Sequence, residues 1–410
     1  MKSAKIHILL ILGCLSTQSV SGQLSVVKSE FQGREAYALQ NSRMRISMLS
    51  GGGHIAELRL VTPDGKESVN PMFIPHYQTI DPHDYNPKKH EDLYGSGVGA
   101  RLMAGYMGHY LCFPYFGDTN VEYEGQAGYP THGEAYTVKY KVEERREDGG
   151  AVVTATAVLP LTNYSINRSF TLLPDQSVVK VKEVIENLES FDRPYQWVQH
   201  ITFGLPFLAY RNTCVDAPVS RIAFSPEKDD PLNLNSVEWP TARTEGGDVI
   251  NAGVFGSDKG EGGYRAWLMD PERDHTWFVM YNRDVNLLVG YVFSKEENPW
   301  IGDWQENHHA RAKPRNGLTV AWGLEVGTTP FPSKKKQSFD RGQVFGTETY
   351  RWIGAKEKKE QSYMIFLHEI NESFKGVKDL KLEKGAIILT EKESAKQIRI
   401  ANGFSPPEIN

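Results

Sequence analysis

Three side chains that could transfer protons stand in short, distinctive segments of the sequence. His132 lies in "THGEAYTVKY" and His200 in "WVQHITFGLPF", at places where a turn is predicted to meet a strand. Glu325 interrupts the apolar segment "AWGLEVGTTPF", so we expect it to project from one face of a strand towards a cleft. A carboxylate and an imidazole on either side of a bound molecule can act as general base and general acid, and each proton transfer contributes about 10²–10⁴-fold to a rate. A single histidine is more often structural, but the three segments together favour catalysis.

Aromatic and acidic residues near these segments could bind a ligand. Trp197, Trp300 and Trp304 are candidates for an aromatic wall, and Trp197 fits a core position better than a wall. Glu306 follows Trp304 in "WQENHH" and is a candidate contact, or a rival general base if the late strands are aligned differently.

The segment 74–95, "IPHYQTIDPHDYNPKKHEDLYG", is dense in His and Asp and could hold a metal ion. Its spacing fits no known metal loop, so a loop at the rim of a binding cleft is the better prediction. No Cys/His spacing resembles a zinc site, and we expect neither a metal nor a cofactor. Cys112 and Cys214 could form a disulfide, but free buried thiols are the stronger expectation.

The elements that must position these residues alternate with the period of a β-strand. Consecutive strands are predicted at 136–145, 151–159, 164–173 and 177–187, and later ones at 275–282, 286–293, 317–327 and 361–370. Helical periodicity is weak and appears only near 394–401. The lysine-rich segment from 371 to 410 could add two strands, and "SKKK" at 333–336 is predicted to be a solvated loop. The pattern predicts an all-β protein.

Composition and the N-terminal segment limit the function classes. The 410 residues carry a net charge of −5 and no basic stripe, which argues against nucleic acid as a partner. Residues 1–22 resemble a signal peptide, and "ILGC" also resembles a lipobox that would place a lipid anchor on Cys14. We therefore expect an exported protein, either periplasmic or an outer-membrane lipoprotein of a bacterium, without a membrane span. Its oligomeric state is not indicated.

Four segments occur in the order seen in the galactose mutarotase-like proteins, the aldose 1-epimerases and their relatives. They are "HGEA", "QHITFGLPF", "NPWIGDWQEN" and "GLEVGTTPF", and the resemblance extends over residues 24–370. It implies a β-supersandwich, in which two large twisted antiparallel sheets pack face to face and a sugar or oligosaccharide binds in a cleft. It further implies that His132 contacts the sugar, that His200 is the general acid and that Glu325 is the general base. Such an isomerase opens the sugar ring and closes it to the other anomer.

The sequence departs from this family at two places. The segment "HYLCFPYFG" lacks the arginine of the family's Asn-Arg-Ile motif, and "GGYRAWL" places Arg265 where the family has an aspartate. Arg265 is therefore a candidate substrate contact, and we expect an acidic or substituted sugar rather than plain galactose or glucose.

Two other function classes remain open. The protein could bind carbohydrate without catalysis, or it could be a polysaccharide lyase or glycoside hydrolase on the same fold. A hydrolase needs two carboxylates about 5–5.5 Å or about 6.5–9.5 Å apart, and Glu134 and Glu325 are the pair that would supply them.

Overall fold

The computed structural model describes residues 24–119, 125, 127–224, 239–243, 249–256 and 262–406. The predicted signal segment and Cys14 lie outside these residues. The first strands and helices are β1 (Ser25–Phe31), β2 (Arg34–Gln40), β3 (Met44–Leu49), β4 (Ile55–Leu60), α1 (Pro87–Tyr94), α2 (Ala100–Gly105), β5 (His109–Cys112), β6 (Lys141–Glu147), β7 (Gly150–Leu159), β8 (Tyr164–Leu172), β9 (Val178–Asn187), β10 (Arg193–Tyr195), β11 (Val198–Gly204), β12 (Thr213–Asp216) and β13 (Val219–Phe224). The remaining ones are β14 (Thr241–Arg243), β15 (Val249–Asn251), β16 (Gly262–Met269), β17 (His275–Asn282), β18 (Leu287–Ser294), β19 (Trp300–Asn307), β20 (Val320–Gly327), α3 (Lys335–Arg341), β21 (Gln343–Val344), β22 (Thr347–Glu348), β23 (Arg351–Ile353), β24 (Lys358–Glu369), β25 (Val377–Glu383), β26 (Ala386–Glu391) and β27 (Gln397–Ala401).

Two large antiparallel sheets form the body of the protein. The first has ten strands in the order β1-β2-β3-β4-β5-β11-β20-β19-β16-β13, and the second has eight in the order β12-β17-β18-β24-β9-β8-β7-β6. Alternate residues of each strand point into one hydrophobic core; Ile201, Phe203, Trp322 and Leu324 do so from the first sheet. The arrangement is the all-β sandwich of two sheets that the sequence resemblance implied.

A buried polar network crosses this core behind the centre of the first sheet. Arg168 and Glu183 form an ion pair at 2.8 Å with no solvent exposure. Glu183 also accepts hydrogen bonds from the indole of Trp197 and the amide of Gln199, at 2.9 and 2.6 Å. Because Gln199 precedes His200 on β11, this network anchors the strand that carries the predicted general acid.

The C-terminal residues form three strands, one more than predicted. The order of this small sheet is β25-β26-β27. It packs its apolar face on the outer side of the eight-stranded sheet, where Leu380, Ile387 and Leu389 meet side chains such as Trp277 and Phe366. Residues 397–401, where weak helical periodicity was noted, are therefore a strand, because the neighbouring strand supplies their hydrogen-bond partners.

Three local predictions were wrong. The strand predicted at 136–145 begins only at Lys141, because residues 135–137 form a 3-10 turn. The solvated loop predicted at 333–336 is interrupted by helix α3, which begins at Lys335. The segment 74–95, predicted to be a loop, contains helix α1, and helix α2 follows it. These helices are eight residues or shorter, so their apolar spacing is too brief to produce a clear helical period.

Neither of the two cysteines within the described residues is in a disulfide. Cys112 is buried and Cys214 is half-buried. No helix in the described ranges is long and apolar enough to cross a membrane.

Candidate active site

Three neighbouring strands of the ten-stranded sheet bring the predicted acid and base together. In the antiparallel register His200 of β11 lies opposite Glu325 of β20, and Glu325 lies opposite Gly302 of β19. Directly opposed residues share one face of a sheet, with Cβ atoms about 4.5–5.5 Å apart. His200 therefore stands in the middle of a strand, not at the turn–strand boundary expected from the sequence.

His200 and Glu325 contact each other directly. The distance from His200 Nε2 to Glu325 Oε1 is 2.8 Å, and both side chains are at most 5% exposed. The second carboxylate oxygen, Oε2, is buried and has no hydrogen-bond partner among the described residues. Glu325 thus keeps one oxygen available as a proton acceptor.

This pair lies in a small pocket on the outer face of the sheet. The pocket has a volume of about 130 Å³ and is lined by Leu102, Met103, Tyr106, Tyr110, His132, His200, Tyr264, Trp304, Arg315, Glu325 and Pro332. The ring of Tyr110 stacks on the His200 imidazole, with centroids 4.5 Å apart and planes inclined by 18°. The Trp304 ring stands 6.1 Å from the same imidazole. The pocket therefore joins an acid–base pair to aromatic walls.

His132 enters the pocket from a tight turn. Its backbone has φ +62°, which is rare for a residue with a side chain. Its Nδ1 accepts a hydrogen bond of 3.0 Å from the backbone N–H of Gly117, so the neutral ring carries its proton on Nε2. Burial lowers the pKa of His132 well below its usual range, and the charges of His200 and Arg315 add to this effect. His132 is thus an uncharged hydrogen-bond donor beside His200, with ring centroids 5.7 Å apart.

Close packing of the backbone explains why a glycine follows His132. A Cβ atom on Gly133 would lie 2.3 Å from the carbonyl oxygen of Phe113. Gly133 therefore permits the close packing of two backbone segments, where any side chain would clash.

A cation reaches the pocket from a loop that the sequence did not single out. The Arg315 guanidinium lies 5.2 Å from the centroid of the Trp304 ring. Glu306, predicted to contact substrate, is absent from the pocket lining. Its Oε1 accepts the backbone N–H groups of His309 and Ala310, both at 2.8 Å, and its Oε2 lies 3.8 Å from Arg315 Nη1. Glu306 therefore organises the loop that presents Arg315.

Arg265 lies on the opposite face of the sheet from the pocket. It pairs with Asp303 at 2.6 Å, and Asp303 accepts the indole N–H of Trp322, a core residue, at 2.8 Å. The adjacent residue of β16, Tyr264, faces the pocket instead. The predicted contact between Arg265 and substrate is not supported by this placement, because successive side chains of a strand point to opposite faces.

Glu134 does not provide a second carboxylate in the pocket. Its oxygens accept the backbone N–H groups of Leu161 and Thr162, each at 2.9 Å, and the Thr162 hydroxyl at 2.8 Å. The pair of carboxylates that a glycosidase needs is thus not formed by Glu134 and Glu325.

The other two tryptophans considered for an aromatic wall belong to the interior. Trp197 lies in the core between the two sheets, where its indole donates to Glu183. Trp300, the first residue of β19 in the ten-stranded sheet, is fully buried in a separate apolar cluster. Only Trp304 of the three lines the pocket.

The acidic and histidine-rich segment 74–95 supports the pocket wall from outside. The Arg34 guanidinium binds Asp81 at 2.7 Å and the carbonyl of Gly105 at 2.9 Å, and so ties this segment to the end of α2. Helix α2 supplies Leu102 and Met103 to the lining. Asp81, His83 and Asp84 are close enough together to hold a metal ion, but Asp81 is already paired with Arg34.

Comparisons with known proteins identify the fold. No family model and no curated protein sequence matches the chain. Among solved structures, a Klebsiella pneumoniae protein named provisionally as an aldose 1-epimerase matches with a TM-score of 0.58 and 13% identity, over 82% of this chain and 80% of that one. A galactose mutarotase-like protein from Clostridium acetobutylicum matches with a TM-score of 0.57 and 14% identity, over 85% and 99%. A TPR-domain containing protein from Parabacteroides distasonis matches with a TM-score of 0.53 and 12% identity, over 90% of this chain and 52% of that one.

The protein therefore has the galactose mutarotase-like β-supersandwich fold, as the order of its four sequence segments indicated. At such low identities the likeness extends to the fold and not to the chemistry.

Proposed function

We propose that the protein is an aldose 1-epimerase-like isomerase that interconverts the anomers of a sugar. The observation that carries this proposal is the contact of 2.8 Å between His200 Nε2 and Glu325 Oε1 at the base of a small pocket. The ring oxygen and the anomeric hydroxyl of a sugar are bonded to the same carbon. An acid and a base that must serve both at once therefore need to be close neighbours, as these two groups are.

The reaction is a pair of proton transfers that is then reversed. Glu325 removes the proton of the anomeric hydroxyl while His200, as imidazolium, protonates the ring oxygen, and the ring opens to the aldehyde. Rotation about the bond between C1 and C2 exposes the other face of the aldehyde. On closure His200 takes back its proton and Glu325 returns the other, so both groups finish as they began.

The remaining lining residues suit a single sugar ring. A volume of about 130 Å³ is small for a ligand pocket, which favours one sugar ring over an oligosaccharide. The neutral Nε2–H of His132 is placed to donate to a sugar oxygen, and Trp304 and Tyr110 supply apolar walls. Arg315 is the pocket group that could favour an acidic sugar, in place of Arg265.

Anomer exchange followed by NMR tests the proposal. The panel consists of galactose, glucose, galacturonate and glucuronate, with Glu325→Gln, His200→Asn and the exposed control Glu144→Gln. We expect wild type and the control to accelerate exchange, and the two site variants to lose about 10²–10⁴-fold. If wild type binds a sugar but exchanges its anomers no faster than buffer, the protein is a binding protein. If all three variants are as active as wild type, the assignment of the site is wrong.

The same panel tests the role of Arg315. In Arg315→Gln the KM for the uronates should rise by about tenfold or more, because a charged hydrogen bond contributes about 1.5–3 kcal/mol, while KM for the neutral sugars changes less. Equal effects on both sugar classes would contradict a preference for acidic sugars.

We also propose that the protein is exported, on the grounds of residues 1–22. Cell fractionation and N-terminal sequencing of the mature protein test this, and Cys14→Ser separates lipid anchoring from free release.

A further inference from the structure

A chain of hydroxyl groups lies behind the imidazole of His200. His200 Nδ1 is 3.0 Å from Thr202 Oγ1, and Thr202 Oγ1 is 2.9 Å from the hydroxyl of Tyr106. Thr202 is fully buried, whereas Tyr106 lines the pocket. The three groups form a continuous path from the pocket, through the sheet surface, to the nitrogen of His200 that faces away from Glu325.

The donors and acceptors of this chain can be arranged in two directions. In the first, Tyr106 donates to Thr202, Thr202 donates to Nδ1, and the neutral imidazole carries its proton on Nε2, facing Glu325. In the second, Nδ1–H donates to Thr202, Thr202 donates to the Tyr106 oxygen, and Tyr106 turns its own proton towards the pocket. Burial raises the pKa of the Tyr106 hydroxyl well above its usual range, so this group keeps its proton in both directions.

The chemistry of ring opening requires the second direction. A general acid that gives up the proton on Nε2 must retain one on Nδ1, otherwise it would be left as an imidazolate. A neighbour that could only donate a hydrogen bond to Nδ1 would prevent Nδ1 from keeping its proton. A neighbour that could only accept a hydrogen bond would leave Nδ1 of the neutral resting ring without a partner. A rotatable hydroxyl meets both needs.

We propose that Thr202 and Tyr106 are positioning residues that form a reversible hydroxyl relay for His200. The relay donates to Nδ1 in the empty, neutral site and accepts from Nδ1–H in the imidazolium that acts as general acid. A sugar oxygen that accepts the Tyr106 proton favours the second direction, so that substrate binding promotes the protonated form of His200. This inference rests on the proposed function for its purpose, but its geometry is independent of turnover.

Three variants separate the parts of the relay. Thr202→Val removes both directions and Thr202→Ser keeps both. Tyr106→Phe removes the donor to Thr202 in the first direction and the acceptor in the second, but Thr202 can still donate to Nδ1. These changes replace none of the other ionisable groups that line the pocket with His200, which are Glu325 on β20, Tyr110 on β5, Tyr264 on β16, and His132 and Arg315 on loops. Tyr106→Phe keeps the ring that packs against Tyr110.

A titration of His200 by ¹⁵N NMR tests the proposal without any substrate. In wild type the neutral ring should carry its proton on Nε2. Tyr106→Phe should keep that tautomer but lower the midpoint of the titration by about one pH unit, because the Thr202 hydroxyl, which accepts from the imidazolium Nδ1–H, is left without an acceptor for its own proton. Thr202→Ser should match wild type. A neutral wild-type ring protonated on Nδ1, or identical midpoints in wild type and Tyr106→Phe, would overturn the relay.

Anomer exchange distinguishes this proposal from the proposed function. Thr202→Val should lower kcat by about tenfold with little change in KM, and Thr202→Ser should keep the wild-type kcat. Tyr106→Phe should lower kcat to a similar extent and also raise KM, because the Tyr106 hydroxyl lines the pocket and donates to the sugar. If wild type shows no exchange but the titrations follow the expected pattern, the relay stands and the isomerase assignment fails. If wild type is active and the variants keep full kcat and the wild-type titration, the relay fails alone.

Discussion

Replacement of Gly302 by alanine should disrupt the pocket through one methyl group. A Cβ atom at this position would lie 2.0 Å from the hydroxyl oxygen of Tyr264 and 3.0 Å from Oε2 of Glu325. An ordinary contact between carbon and oxygen is about 3.3 Å, so the Tyr264 hydroxyl must move by more than about 1 Å. That movement breaks its hydrogen bond of 3.0 Å to the carbonyl of Pro330.

The magnitude follows from these two costs. Overpacking of a tight site costs about 1–3 kcal/mol and a lost hydrogen bond about 0.5–1.5 kcal/mol, so the free energy of unfolding should fall by about 2–4 kcal/mol. Glu325 Oε2 needs to move by only a few tenths of an ångström, so the rate of anomer exchange should fall, but by less than the about 10²-fold that a misplacement of about 1 Å causes.

Urea unfolding and NMR anomer exchange measure the two effects. Gly263→Ala is the matched control. Gly263 lies on the neighbouring strand β16, and a Cβ atom there would have no other atom within 4 Å. The reasoning is refuted if Gly302→Ala unfolds within about 0.5 kcal/mol of wild type, the range usual for neutral surface changes, and retains full exchange activity.

Three further predictions concern groups buried away from solvent. Glu183→Gln should lower the free energy of unfolding by about 3–5 kcal/mol, because the Arg168 charge is left buried without its partner; an unchanged urea midpoint would contradict this. Burial lowers the pKa of His54, His109 and His132 well below the usual range. Since the unfolded chain binds these protons first, stability should fall as pH drops through about 6.5, and His109→Gln should reduce the slope of that fall by about one proton. Burial raises the pKa of the Cys112 thiol well above its usual range, so iodoacetamide should modify Cys112 only after unfolding; rapid labelling of the native protein, detected by peptide mass mapping, would show that the thiol is accessible.

The sequence predicted the strands that have long, regular alternation. The segments 164–173, 177–187 and 275–282 correspond closely to β8, β9 and β17, because a period of two is imposed by the residues themselves. The same reasoning placed Glu325 on one face of β20, where its apolar neighbours Leu324 and Val326 point into the core. The supersandwich fold was implied by the resemblance of four segments, in their order, to the galactose mutarotase-like proteins.

The local pattern was ambiguous where both faces of a strand carry large side chains. In "GGYRAWL" Tyr264 and Arg265 are adjacent, and the pattern does not predict which of the two side chains faces the core. The structure directs Arg265 inward to Asp303 and Tyr264 outward to the pocket. A buried carboxylate on the neighbouring strand decided this, and a change of one residue in register would have reversed it.

The candidate site itself depends on contacts between distant parts of the chain. By itself the sequence determined which residue types are present, the period of the long strands and the order of the motifs. Only the tertiary structure decided that His200 lies against Glu325 and that the Tyr110 ring stacks on the His200 imidazole. It also decided that Arg315 reaches the pocket from a loop. The physical reason is that strand pairing is non-local: β11 binds β5 and β20, whose residues are about a hundred positions away in either direction, and no periodicity within a segment encodes its partner.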